Sequence, residues 1–90
     1  MIKHPFLEVT FRQGKPLAAY LYLPRRSGDT SSRTCSFEQG LLIDYAADGR
    51  AIGIEITSPT RLTLEAINRA LAAVNQEPLA AIDLFPLLAA

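Results

Sequence analysis

Residues 40–57, GLLIDYAADGRAIGIEIT, decide the fold. In their second half Ile52, Ile54 and Ile56 alternate with Gly53, Glu55 and Thr57. Successive strand side chains point to opposite faces, so the three isoleucines share one face, and their branched β-carbons suit a buried, pleated surface. In the first half Leu41, Ile43 and Tyr45 alternate with Leu42 and Asp44. Between the halves, Ala46-Ala47-Asp48-Gly49 supplies the reversal. A loop of about four residues fits a type I turn followed by a left-handed Gly better than a two-residue turn. The stretch therefore reads as a β-hairpin. A slip of one residue would turn the isoleucines outward, so the register is firmly set.

Upstream, Leu7, Val9 and Phe11 alternate with Glu8, Thr10 and Arg12. That pattern predicts a first strand, Phe6 to Arg12, in a sheet wet on one side. Gln13-Gly14-Lys15-Pro16 is a turn cluster, and Leu17 to Leu23 reads as a second strand antiparallel to the first. Leu17, Ala19, Leu21 and Leu23 share one of its faces, with Ala18, Tyr20 and Tyr22 on the other. Two readings stand for the tyrosines. They cover their own cross-strand neighbours, or they sit half exposed on an open face of the kind favoured at protein interfaces. Pro24 ends the strand, and Arg25 to Arg33, RRSGDTSSR, reads as a mobile polar loop. Thr34 to Glu38 makes a short third strand with Cys35 and Phe37 pointing one way.

Downstream, Ser58-Pro59 ends the fifth strand and Thr63 is placed to cap a helix, with Glu65 in its first turn. Leu64, Ile67, Leu71 and Val74, with Ala70, form one apolar stripe that predicts a helix over 63–75. Asn75 suits a left-handed exit, and Pro78 follows. The tail, 78–90, carries Leu79, Ile82, Leu84, Phe85, Leu87 and Leu88 against a single charge, Asp83. Pro78 can open a second short helix and Pro86 should end or kink it. A segment so apolar must be buried, on its own domain or on another chain. The whole predicts one α+β domain, 1–90, with a mainly antiparallel sheet of about five strands over 6–57, a C-terminal helix packed on one face, and the apolar tail.

A chain of 90 residues buries roughly 60 to 65% of its unfolded surface, so its stability needs help. One cysteine and one histidine provide neither an intrachain disulfide nor a cysteine/histidine zinc set. Oligomerisation remains, and a homodimer is expected. The start, MIKHPFLEV, lacks a secretory apolar segment, and no apolar run reaches the roughly 18 to 20 residues needed to span a bilayer. The cytoplasm is the expected compartment, in keeping with a lone thiol. A formal net charge of zero argues against nucleic-acid binding. The charges are nevertheless uneven. Lys3, Arg12, Lys15, Arg25, Arg26 and Arg33 oppose only Glu8 and Asp29 in the first 35 residues. In the remainder Arg50, Arg61 and Arg69 oppose Glu38, Asp44, Asp48, Glu55, Glu65, Glu77 and Asp83. The halves can attract each other, or the charges simply keep the surface solvated.

Three groups are candidates for function. Tyr20 and Tyr22, with Leu84, Phe85 and Leu88 of the tail, suit a protein interface. Asp44 and Glu55 fall on the face opposite the isoleucines, where two carboxylates can serve acid/base chemistry or a hard cation, or keep that face soluble. Arg25, Arg26 and Arg33 offer an anion site, although their loop lacks the GxxxxGK[ST] pattern of a P-loop. Cys35 has no base nearby in sequence and reads as a packed thiol. No nucleophile–base pair and no cofactor motif stands out, so the composition favours a non-catalytic domain without a cofactor over an enzyme.

The hairpin also resembles the DUF2283 family of small, mostly bacterial proteins of uncharacterised activity. The matching residues are Leu42-Ile43-Asp44-Tyr45, Asp48-Gly49-Arg50 and Gly53-Ile54-Glu55-Ile56, preceded by Leu21-Tyr22-Leu23. The likeness spans about residues 6–60. It departs at Ala18-Ala19-Tyr20, where the family carries an acidic residue, and at the longer polar loop 25–33. The resemblance implies a binding role, with a small toxin-like protein as partner.

Overall fold

Five strands form one antiparallel sheet in the order β1-β2-β5-β4-β3. They are β1 (Phe6–Arg12), β2 (Lys15–Tyr22), β3 (Arg33–Glu38), β4 (Leu41–Tyr45) and β5 (Ala51–Ile56). A 3-10 turn at Pro59–Arg61 leads to α1 (Leu64–Ala73), and a second at Ala81–Leu84 leads to the single turn α2 (Phe85–Leu88). The structure, a computed structural model, describes residues 4–38 and 40–88, with the side chain of Leu88 outside that description. The α+β architecture and the strand count follow the sequence reading. No helix among the described residues is long and apolar enough to cross a membrane.

The β4–β5 hairpin lies at the centre, with Ile43 opposite Ile54 and Leu41 opposite Ile56. Its turn closes through Gly49 N–H donating to the Ala46 carbonyl at 2.9 Å, and Gly49 takes φ +93°, a value glycine adopts without penalty. β5 also pairs with β2, setting Leu21 against Ile54 and Ala19 against Ile56. This joins the two hairpins into one sheet. At the β1–β2 reversal Gln13 and Gly14 both have positive φ, so the turn needs only two residues and β2 begins at Lys15.

Leu21, Leu23, Leu41, Ile43, Ile54 and Ile56 form the core face of the sheet. Against it pack Ile67, Ala70 and Leu71 of α1 together with Leu84 and Leu87 of the tail. No polar or charged residue is buried among them. The tail thus packs on its own domain. Leu84, expected at an interface, is 1% exposed inside the core. The 3-10 turn that carries it sets its neighbours Ile82 and Phe85 outward.

Three bulges correct the simple alternation. The registers leave Leu17, Phe37 and Ile52 as extra residues on β2, β3 and β5. Leu17, expected on the buried face, is 53% exposed for this reason, and Phe11 beside it is 50% exposed.

Both ends of α1 are closed by side chain and turn. Thr63 Oγ1 accepts from Ala66 N–H at 3.1 Å. At the far end Asn75 takes φ +60°, Gln76 N–H reaches the Leu71 carbonyl at 2.9 Å and Asn75 N–H reaches that of Ala72 at 3.2 Å. The Asn68 amide then pins the tail to the helix. Its Oδ1 accepts from Leu79 N–H at 2.8 Å, and its Nδ2 donates to the Leu79 carbonyl at 3.1 Å.

Candidate functional site

Among the described residues no helix packs on the second face of the sheet. Its registers build two rows across all five strands. One runs Phe6, Tyr22, Gly53, Asp44, Thr34; the other runs Glu8, Tyr20, Glu55, Leu42, Ser36. The flanking positions of both rows lie open to solvent: Phe6, Glu8, Thr34 and Ser36 are exposed, with the rest half-buried except Gly53.

Aromatic contacts tie the rows together. Phe6 stacks on Tyr22 with ring centres 4.5 Å apart and planes 17° from parallel. Tyr20 meets Tyr22 edge-on at 4.8 Å. The Arg25 guanidinium lies 5.2 Å from the Tyr22 ring centre and donates to the Ile52 carbonyl. Each tyrosine also reaches diagonally to a carboxylate: Tyr20 donates to Asp44 Oδ2 at 2.7 Å, and Tyr22 to Glu8 Oε1 at 3.3 Å.

Tyr20 gets to Asp44 by lying across Gly53. The space a β-carbon would occupy at Gly53 is filled by the Tyr20 phenol. Burial of that hydroxyl, and the Asp44 carboxylate beside it, push the Tyr20 pKa up from 10.0 to about 12. The phenol is a donor fixed in place, and the ring a rigid part of the surface.

The candidate groups separate. Asp44 accepts from Tyr20 and, on its other oxygen, from Thr34 Oγ1 at 2.5 Å. Glu55 sits in the other row, opposite Tyr20 and Leu42. Asp44 therefore anchors the tyrosine lattice. Among the described residues no group of three or more His, Cys, Asp or Glu is placed to hold a metal ion. The arginines do not converge either. Arg25 covers Tyr22 on the open face, whereas Arg33 lies 4.5 Å from the ring centre of Tyr45, which packs against the core on the other face. Arg26 is exposed, and its N–H donates to Asp29 Oδ2 at 2.9 Å.

Loop 25–33 is tethered. Arg50 grips Asp29 through two hydrogen bonds, 2.8 and 3.0 Å long, and holds Asp48 at 2.7 Å. The guanidinium keeps both carboxylates below their usual pKa, and they raise that of Arg50 in turn. Arg69 makes a similar two-point grip on Glu38, linking α1 to the end of β3. None of these ion pairs sets a cation of the first 35 residues against an anion of the remainder. A depression of about 400 Å³ opens between Pro24, Tyr45, Arg50 and the end of α1 at Asn75. Arg50, the charged residue of its lining among the described residues, is already held by Asp29 and Asp48.

Of the tail candidates, Phe85 is 61% exposed, Leu84 is buried and the Leu88 side chain lies outside the described residues. Phe6, Glu8 and Gly53 belong to the site without having been singled out. Phe6 was detectable as an aromatic residue in phase with Glu8 and Thr10, on the otherwise polar side of its strand. The chain matches no family model, no curated protein and no solved structure.

Proposed function

We propose that this chain is a non-catalytic protein–protein interaction module, homodimeric, that binds a second small protein through the open face of its sheet. The observation that carries the reading is the Phe6–Tyr22–Tyr20 lattice, held by Arg25 and Asp44 on a face that no helix covers among the described residues. Aromatic residues with few rotatable bonds give large contact area at low entropic loss, more so when their rotamers are already fixed. The resemblance to DUF2283 supplies the class of partner, a small toxin-like protein. The cytoplasm is the compartment this reading assigns, supported by the half-buried free thiol of Cys35.

The test is a gentle pull-down of the tagged chain from its own cell extract, with native mass measured on the eluate. A stoichiometric second protein is expected with the native chain and with Phe85→Asp, and not with Tyr22→Ser. An eluate without such a protein, or one that Tyr22→Ser leaves unchanged, overturns the assignment of this face.

A further inference from the structure

The homodimer in that reading needs an interface, and the exposed edge of the sheet offers one. β1 lies at the end of the strand order, so its outer side has no strand beside it among the described residues. Proteins ordinarily blunt such edges with charged side chains, lysine above all, or with proline, a bulge or an inward-pointing charge. Of these β1 has only two charged side chains, Glu8 and Arg12. Phe6–Arg12 contains no Pro, Gly or Lys, and the bulge in its pairing places the extra residue, Leu17, on β2. Its charges, Glu8 and Arg12, share the open-face phase. The other edge, β3, carries its own bulge at Phe37.

We infer that β1 pairs antiparallel with β1 of a second copy about a two-fold axis through Thr10. This rests on the interaction-module reading only for the expectation of a dimer. The register follows from complementarity. Centring on Thr10 sets Glu8 opposite Arg12 of the second copy, Val9 opposite its Phe11, and Thr10 opposite its Thr10. Opposite-charge, aromatic–β-branched and Thr–Thr pairs are the cross-strand combinations that stabilise a sheet, and the two-fold axis makes the first two twice. Centring on Glu8 would set that carboxylate against itself. Centring between residues would turn Phe11 toward the polar face.

The pairing also covers apolar surface. Phe11 is half exposed on the core side of the sheet and Val9 is only partly buried. Each acquires the other as its neighbour. The two open faces become one, with the Phe6–Tyr22–Tyr20 lattice repeated on either side of the axis. A single edge strand makes a small contact beside the roughly 1,200–2,000 Å² of stable complexes, so the expected association is a concentration-dependent equilibrium.

Charge reversal tests the register. Glu8 and Arg12 are both exposed, so their substitution leaves the fold intact, which circular dichroism verifies. Sedimentation of the native chain over a micromolar to millimolar range should show a monomer–dimer equilibrium. Glu8→Arg and Arg12→Glu should each weaken it at least ~10-fold, because each sets like charges opposite at two symmetric places. The combined variant should restore the native equilibrium. A chain that stays monomeric, a dimer indifferent to either reversal, or a combined variant that stays dissociated would each overturn the β1 pairing. Glu8 also accepts from the Tyr22 hydroxyl, so capture of a second protein is read on Arg12→Glu, whose residue lies outside both rows of the open face; a dimer lost there with capture kept, or the reverse, lets the two readings fail separately.

Discussion

Gly53 is the position where one methyl group reports on the open face. The Tyr20 phenol occupies the space of its missing β-carbon, so Gly53→Ala must swing the ring away and break the bond to Asp44. The overlap is with the end of a movable side chain, which places the expected loss of stability at about 1–3 kcal/mol. In a Tyr20→Ala background the same substitution should be nearly neutral, and a double-mutant cycle read by urea unfolding measures that coupling. Tyr20 also makes a prediction about alkaline pH. Its folded pKa, about 12, lies above the unfolded value of 10.0. The stability tied to its protonated form is therefore complete below pH 10 and lost as pH rises toward 12. The drop in melting temperature across that window should be shallower in Tyr20→Phe. Alternation alone placed Tyr20 and Tyr22 on one face, but the reach of Tyr20 to Asp44 depends on β2 pairing with β5, a contact distant in sequence. A glycine inside a strand does signal close approach, and at Gly53 that signal was present without naming what approaches.

At the scale of elements, features encoded by neighbouring residues were legible and those created by pairing were not. The cap at Thr63, the stripe through Ile67 and Leu71 and the exit at Asn75 each depend on residues within a turn or two, and all occur as read. Leu17 was misread because its outward turn arises from a bulge against β1, which its own sequence does not announce. Thr63→Ala should lower stability by about 1 kcal/mol. Asn75→Ala should lower it by roughly 1–2 kcal/mol while Asn75→Gly raises it slightly, because only the left-handed backbone distinguishes them. Thermal or urea unfolding checks all three. Asn68 lies off the apolar stripe and gave no sign of its task, which depends on where the tail returns. It pairs with both backbone groups of Leu79 like a strand residue. Asn68→Asp keeps the acceptor and loses the donor, so amide exchange over residues 79–87 should quicken while that of β4 and β5 stays slow.

For the whole molecule the deciding matter is how so small a domain closes its core. A chain of 90 residues has a stability on the order of 5–13 kcal/mol, so one unfilled site in the core is a large share of it. α1 presents Ile67, Ala70 and Leu71, and the tail adds Leu84 and Leu87 to the same cluster. The sequence required the tail to be buried but left open which chain it covers, because hydropathy states how much is apolar and not where a turn aims it. The turn at Ala81–Leu84 answers this within six residues: Ile82 and Phe85 face out at 78% and 61% exposure, while Leu84 and Leu87 are buried. Leu84→Ala should therefore lower stability by about 2–5 kcal/mol. Phe85→Asp, one residue along, should shift it by no more than about 0.5 kcal/mol, as substitutions at exposed positions do. Urea titrations of the two variants beside the native chain decide the matter. A large loss in Phe85→Asp together with a small one in Leu84→Ala would mean that the tail closes its core with the opposite face. The unlike responses of adjacent residues are what distinguish a tail docked on its own domain from an apolar segment held by composition alone.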